Sequence, residues 1–112
     1  MKPNLVPADP LTQVVFVHEY LQLVFQDTGF SLYNPVELRL NGHVIRQNES
    51  GFADGLVGLI GQSVLSAATV ETSGLALSFT SGTIVSVDSD GPGPEAWQFN
   101  SLGCAPVIAQ NS

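Results

Sequence analysis

The chain has 112 residues, the size of one ordinary domain with one modest hydrophobic core. Its formal net charge is −7, and Lys and Arg together number only 3. Binding to nucleic acid or to an anionic membrane requires several cationic side chains that neutralise phosphates. The composition therefore predicts that the protein binds neither nucleic acid nor a membrane surface.

Charged residues make up 12% of the chain, whereas an average globular domain has roughly 25%. This is too little charge to cover an ordinary monomer surface generously. One explanation is that Ser, Thr, Asn and Gly cover the surface instead. The other is that apolar surface is buried between copies of the chain, and we therefore expect a homo-oligomer, a dimer or larger.

The N-terminal residues and the cysteine count bear on location. Pro3, Pro7 and Pro10 interrupt any apolar core of a signal peptide. No run approaches the about 18 apolar residues of a membrane-spanning helix. Cys104 is the one cysteine, so an intrachain disulfide is excluded. Together these features predict a cytoplasmic protein.

The composition changes along the chain suggest three segments. Residues 1–11 are rich in proline and lack a pattern, which predicts an N-terminal tail or arm. Residues 12–102 are expected to form a single α+β domain. Residues 103–112 are expected to be a C-terminal tail, and the stretch SLGCAPVIAQNS can add a short edge segment before a loose tail.

From Thr12 the sequence becomes rich in strand patterns. The stretch TQVVFVHEYLQLVFQD indicates two short strands, or one long bulged strand, with a break near His18 and Glu19. Asp27-Thr28-Gly29 is expected to turn the chain into FSLYN. VELRL and HVIRQ are joined by Asn41-Gly42, whose residues both tolerate the positive φ of a type I′ hairpin turn.

The stretch NESGFADGLVGLIGQSV is the one helical candidate. Its apolar residues follow the helical i, i+3, i+4 spacing, and Ser50 or Asp54 can cap it. Gly55, Gly58 and Gly61 each cost about 1 kcal/mol relative to alanine inside a helix. Such a helix must be held by packing, and its glycines allow close approach to a sheet; the alternative is a loop with one helical turn.

A sequence echo links the two halves of the chain. L-x-L-x-F followed by a glycine turn occurs at residues 21–29 and again at residues 75–82. Alternating apolar residues, a turn and a return strand are what any hairpin on a core requires. The echo therefore encodes hairpins rather than chemistry, and either an internal duplication or convergence explains it.

These patterns predict an α+β fold. We expect a curved antiparallel sheet of about six to eight strands with one short helix packed on it. The alternative is a small all-β barrel.

The residue types that carry chemistry are sparse, so we expect no catalytic site, no metal site and no cofactor. His18, Glu19 and His43 lie on different predicted strands without metal-ligand spacing. The neighbours of Cys104 supply no positive charge that would activate its thiol. The loop DSDGPGPE lacks the spacing of a calcium loop, and whether its Asp88, Asp90 and Glu95 bind a cation or are only solvated stays open.

The aromatic residues supply the candidate binding residues. Most of the nine aromatic side chains are expected in the core. Tyr20, Tyr33 and Trp97 are amphipathic, and they either belong to that core or line a pocket or an interface.

The stretch GLALSFTSGTIVSVDSD, followed by EAWQF, resembles a pattern of small uncharacterised bacterial proteins. That pattern combines a G-x-L-x-L-x-F-x-x-G hairpin, an acidic loop and a strand with a tryptophan. The upstream part is similar too, and the likeness covers residues 14–100. The matching upstream positions are Leu21, Leu23, Phe25, Asp27, Gly61 and Val64. The resemblance implies an α+β fold on an antiparallel sheet; such proteins are domains of unknown function, and some resemble immunity proteins against toxins.

The expected function is therefore that of a non-catalytic bacterial interaction protein, of an accessory or immunity-like kind. It would be acidic, bind a protein partner and self-associate. The alternative is a small-molecule binding module with an apolar pocket between the sheet and the helix.

Overall fold

The computed structural model of the chain describes residues 4–70 and 74–111. Within these ranges the chain forms ten β-strands and one short α-helix, α1 (Phe52–Val57). Five strands form each of two antiparallel sheets, in the orders β1-β2-β3-β9-β10 and β5-β4-β8-β7-β6. The strands are β1 (Gln13–Val17), β2 (Tyr20–Phe25), β3 (Thr28–Leu32), β4 (Val36–Leu40), β5 (His43–Arg46), β6 (Val64–Val70), β7 (Gly74–Phe79), β8 (Ile84–Val87), β9 (Glu95–Ser101) and β10 (Val107–Gln110).

The predicted antiparallel sheet with one short helix is confirmed in its coarse form. The expected single sheet of six to eight strands is corrected to two sheets of five strands, and the described residues do not close into a barrel. The reason is that a period-2 pattern shows which side of a strand faces the core. The same pattern does not show which strands belong to the same sheet.

The two halves of the chain have the same strand connections. In the first half, β1, β2 and β3 form a three-stranded meander in one sheet, and the hairpin β4–β5 crosses to the other sheet. In the second half, β6, β7 and β8 form the meander in that other sheet, and the hairpin β9–β10 crosses back. The two halves are therefore related by a pseudo-two-fold, in which β1 corresponds to β6, β2 to β7, and so on.

Hydrogen bonds at the crossovers follow the same repeat. The Tyr33 N–H donates to the Ala96 carbonyl oxygen (2.9 Å), and the Asp88 N–H donates to the Pro35 carbonyl oxygen (2.9 Å). Each bond joins the residue after a meander to the hairpin that the other half contributes. The echo of L-x-L-x-F thus lies on equivalent strands, β2 and β7, as an internal duplication would place it.

The inner faces of both sheets contribute to one hydrophobic core. Phe25 of β2 stacks on Phe79 of β7, with ring centroids 6.4 Å apart, which joins the sheets face to face. Fully burying a large apolar side chain contributes about 1.5–3 kcal/mol, so these faces hold the sheets together. The buried core residues are Leu5, Leu11, Leu21, Leu23, Phe25, Phe30, Leu32, Val36, Leu38, Phe52, Leu56, Leu59, Val64, Leu75, Leu77, Phe79, Val85, Val87, Ala96, Trp97 and Phe99.

Of two hairpin turns predicted from the sequence, one is confirmed and the other lies at a different position. Asn41 and Gly42 have φ angles of 52° and 82°, as the type I′ turn between β4 and β5 requires. The turn between β2 and β3 is one step earlier than expected, because Phe25 pairs with Thr28. Its positive φ, 59°, falls on Gln26, so Gly29 is part of β3 instead.

The helix is short, and its glycine has the expected packing role. Gly51 is the N-cap, without a capping side chain, so the expected caps Ser50 and Asp54 are not used. A Cβ on Gly55 would collide with the Cδ2 of Leu38, a fully buried residue of β4. Gly55 therefore lets α1 approach the second sheet closely, and α1 also lies against β1.

The described parts of both expected tails are packed. Leu5 and Leu11 are buried in the core, and the Leu11 N–H donates to the Gln62 carbonyl oxygen (2.8 Å). The segment 103–112, expected to be a tail, contains β10, where the sequence suggested only a short edge segment. The division into a tail, a domain at 12–102 and a second tail stays a prediction. Among the described residues, no helix has the length and apolar character that crossing a membrane requires.

Replacing Gly55 by alanine tests the close approach of α1. We expect Gly55→Ala to lower the free energy of unfolding by about 1–3 kcal/mol, because the new methyl group overpacks Leu38. This would occur although alanine is favoured over glycine by about 1 kcal/mol within a helix. Urea unfolding, followed by circular dichroism, measures the change. Gly93→Ala is the control, since a Cβ there meets nothing within 4 Å; a stabilised Gly55→Ala protein would contradict the close approach.

Candidate functional site

Two of the three candidate binding residues meet on the outer face of the first sheet. Tyr20 begins β2, and Tyr33 directly follows β3. Their neighbours Leu21 and Leu32 pair across these strands and point into the core, so the tyrosines point the other way. The two rings lie with centroids 5.2 Å apart and tilted by 48°, and both side chains are half-buried.

These tyrosines form the floor of a recess of about 690 Å³. Its wall is the loop before β9, which is the acidic loop DSDGPGPE. We call this site the tyrosine recess; it is lined by Glu19, Tyr20, Tyr33, Pro92, Gly93, Pro94 and Glu95. The lining combines two aromatic rings and two carboxylates, and contains no Lys, Arg or His.

A pair of side-chain amides holds the wall of the recess in place. Asn34 is buried, and its Nδ2 donates to the Asp88 carbonyl oxygen and to the Oδ1 of Asn111 (both 2.8 Å). Asn111 answers through its Nδ2, which donates to the Oδ1 of Asn34 and to the Gly93 carbonyl oxygen (both 2.8 Å). The Asn111 N–H also donates to the Pro94 carbonyl oxygen (2.9 Å). These five bonds tie both ends of the loop to the residue after Tyr33.

Gly91 allows this loop to pass close to the amide pair. A Cβ on Gly91 would collide with the Oδ1 and Cγ of Asn34. Glycine at this position is therefore required by the close approach of the backbone to the Asn34 side chain. The same Oδ1 is the acceptor for Asn111, so a side chain on Gly91 would displace the bond that holds the wall.

Trp97 lies in the core rather than in the recess. Its side chain is 3% exposed, and its ring centroid lies 6.4 Å from that of Phe30. It pairs with Leu32 across β9 and β3, on the face that points inward. Of the alternatives open for Trp97, the structure favours the core, and it separates this residue from the two tyrosines by the thickness of the sheet.

The pseudo-two-fold supplies an internal comparison for the tyrosine recess. Leu75 and Val87 of the second half correspond to Leu21 and Leu32. The equivalents of Tyr20 and Tyr33 are therefore Gly74 and Asp88. Both lie at a smaller depression, of about 230 Å³, which has no aromatic lining. The fold thus forms the same corner without an aromatic residue, and the two tyrosines are a feature of one half only.

The other chemistry-bearing residues do not come together. His18 lies in the turn between β1 and β2, whereas His43 begins β5 of the other sheet. Within residues 4–70 and 74–111, no group of three or more His, Cys, Asp or Glu side chains could hold a metal ion. Of the acidic loop residues, Glu95 lines the recess, and Asp88 accepts the Asn34 bond through its backbone. Cys104 is exposed.

Several residues of the site were not predicted from the sequence as binding residues. Glu19 was considered only as a metal ligand, and Pro92, Gly93 and Pro94 only as loop residues. The available signal was the prolines, which stiffen the loop before β9.

A second depression, of about 280 Å³, lies between β1 and the start of α1, where the alternative small-molecule pocket was expected. None of the three candidate binding residues lines it.

Comparison of the chain with protein-family models, with curated proteins and with solved structures finds no match. The resemblance to small bacterial proteins therefore stays a prediction. The observations that bear on function are the lining of the tyrosine recess, its charge and its absence from the second half of the fold.

Removing the Asn34 amide tests how the wall is held. We expect Asn34→Ala to lower the free energy of unfolding by about 1–3 kcal/mol, because the Asn111 amide and the Asp88 carbonyl lose a buried partner. Hydrogen exchange of the Asn111 and Asp88 amides should also accelerate. Asn100→Ala is the matched control, since that amide is exposed and accepts one bond from Gln98 (2.9 Å). Equal stability of the two variants would contradict a structural role for the amide pair.

Proposed function

We propose that this protein is a non-catalytic protein-interaction module, and that the tyrosine recess binds a basic side chain of its partner. The recess supplies the three features that such a side chain requires. The aromatic faces contact both the aliphatic part and the charged group of the basic side chain. The carboxylates attract its charged group, and the volume of the recess accommodates the whole side chain.

The electrostatics of the recess favour a cation. Glu19 and Glu95 each contribute a carboxylate, and the faces of Tyr20 and Tyr33 carry the negative part of the ring quadrupole. A cation held against such a face gains about 0.5–2 kcal/mol, depending on how far it is desolvated. Both described arginines, Arg39 and Arg46, lie on strands of the other sheet, and Arg46 pairs with Glu37 there (3.4 Å).

The observation that carries the proposal is the difference between the two halves of the fold. An aromatic residue that only stabilised this corner would be needed at both equivalent corners. The second corner has Gly74 and Asp88 instead, and its sheet is formed with the same pairing. The half-exposed tyrosine pair is therefore not explained by the requirements of the fold, whereas ligand binding explains it.

A protein is the partner that the composition favours. With a net charge of −7, the chain attracts basic proteins at long range and accelerates their association. Its poverty in Lys and Arg argues against phosphate-rich partners such as nucleic acid. The recess contains no histidine or cysteine that would act as a base or a nucleophile, which supports a binding role rather than catalysis.

A bacterial accessory or immunity-like protein would act in this way, since such proteins work by occupying a partner surface. The low content of charged residues supports the further proposal that copies of the chain associate. A cytoplasmic location belongs to the same proposal.

A lysine-rich peptide is a direct probe of the recess. We expect a hexalysine peptide to shift the backbone amide resonances of Glu19, Tyr20, Tyr33, Gly93 and Glu95 in ¹⁵N-labelled protein. Tyr33→Ala should weaken the fitted affinity roughly tenfold. The corresponding loss of binding free energy falls within the about 0.5–2 kcal/mol of one cation–aromatic contact. The double variant Glu19→Gln, Glu95→Gln should weaken it further and reduce its dependence on salt.

Glu37→Gln is the matched control for charge, because Glu37 lines the equivalent depression of the second half. We expect this variant to bind the peptide as the unmodified protein does, and hexaglutamate to cause no shifts. Shifts that are spread over the surface, or that survive Tyr33→Ala unchanged, would refute the proposal. A response to tetramethylammonium without a response to the peptide would instead assign the recess to a small organic cation.

A further inference from the structure

The two sheets have four edge strands, and β6 differs from the other three. It has 7 residues, whereas β1 has 5 and β5 and β10 have 4 each. Its sequence, VLSAATV, contains no charged residue and no proline, which is also true of β1 and β10, so β6 differs from those two strands in its length. Among the described residues it pairs with β7 alone, so one row of its backbone N–H and C=O groups faces away from the sheet.

Edge strands usually carry a device that prevents pairing with another strand, such as a charge, a short length or a covering element. β5 carries His43 and Arg46, β10 is short, and α1 lies against β1. The described part of β6 has one such device, a bulge between Val64 and Ser66 at its start. Beyond the bulge, Ser66–Val70 is a regular, exposed edge of small side chains.

We infer that this edge is an interface between two copies of the chain. In the dimer, β6 of one protomer pairs antiparallel with β6 of its partner across a two-fold axis, which joins two five-stranded sheets into one of ten strands. The isologous arrangement is the commonest symmetry of soluble homo-oligomers. The interface rests on the self-association proposed above and is independent of the tyrosine recess, which lies on the other sheet.

The register of the pairing follows from symmetry. A two-fold perpendicular to a sheet relates each residue to itself, and residues directly opposite each other point to the same side. The centre of the contact is therefore a residue, and the middle of the regular stretch Ser66–Val70 is Ala68. Ala68 then faces its own copy, Ser66 faces Val70, and Ala67 faces Thr69. None of these pairs is bulky or charged, so the strands can approach to hydrogen-bonding distance.

The charge distribution favours a second copy at this edge over other places on the chain. Two chains of net charge −7 repel each other, and the repulsion is least where no charge is near. Residues 55–70 contain no charged side chain, and neither do the outward-facing partners of β6 on β7, Ala76 and Ser78. Glu71 follows β6 in the sequence, and Val70 lines a depression together with Glu37 and Asp88. An acidic or basic partner would find no complementary charge on Val64–Val70 itself, and an identical strand brings no like charge to that stretch.

A lysine on the edge tests the interface, because it places two like charges opposite each other. We expect the protein to have the mass of a dimer by size exclusion with light scattering, and Ala68→Lys to be a monomer under the same conditions. Val15→Lys is the matched control. Val15 pairs with Gln22 as Ala68 pairs with Ala76, so it is the equivalent edge position of the first sheet. That variant should remain a dimer, and circular dichroism shows whether both variants are folded.

Disulfide trapping tests the register and is independent of the lysine variant. Opposed residues of an antiparallel pair have Cα atoms about 4.5–5.5 Å apart, within the range of a disulfide. The exposed Cys104 is first changed to serine. Oxidation of the Cys104→Ser, Ala68→Cys protein should then give a covalent dimer on a non-reducing gel, whereas Cys104→Ser, Val15→Cys should give a monomer. A monomeric unmodified protein, a dimer that survives Ala68→Lys, or equal crosslinking at both positions would overturn the inference.

Discussion

The contact between Phe25 and Phe79 is the one on which the rest of the structure depends. These rings stack across the core from β2 and β7, with centroids 6.4 Å apart. Each ends an L-x-L-x-F strand whose inner face is fully buried. A single sheet of this size would leave one apolar face in water, so the two meanders must cover each other. The two copies of the L-x-L-x-F pattern therefore form opposite sides of one core.

The exchange of hairpins between the halves makes this packing cooperative. β9 of the second half pairs with β3 of the first, and β4 of the first half pairs with β8 of the second. Neither half can complete its sheet alone, because the fourth and fifth strands of each sheet come from the other half. The same exchange brings residues far apart in sequence to one corner, such as Asn34 and Asn111 with their reciprocal bonds.

This corner is where the symmetry of the fold breaks. At one crossover the chain has Tyr20 and Tyr33 beneath a loop that contains two prolines, and at the other it has Gly74 and Asp88. One backbone bond is equivalent at the two crossovers: the Tyr33 N–H donates to the Ala96 carbonyl oxygen and the Asp88 N–H to the Pro35 carbonyl oxygen, at 2.9 Å each. The two halves therefore have different side chains at equivalent positions of the backbone. The edge strands β6 and β1 also differ, since β6 has 7 residues, whereas β1 has 5 and lies against α1.

Much of this protein is determined by the sequence itself. Period-2 alternation predicted the strands, and Asn41-Gly42 predicted the clearest turn between two of them. The glycines predicted that the helix needs a sheet beside it. These signals can be detected because they act between residues that are near in the chain. The low number of cationic side chains predicts that nucleic acid is not a partner, and the amphipathic aromatic residues named from the sequence include the two tyrosines of the recess. Only the tertiary structure decided that the strands form two sheets, that Trp97 is in the core, and that Glu19 and the loop Pro92–Pro94 complete the site. The pairing of β3 with β9 joins residues almost 70 positions apart, and no local pattern encodes a partner at that distance.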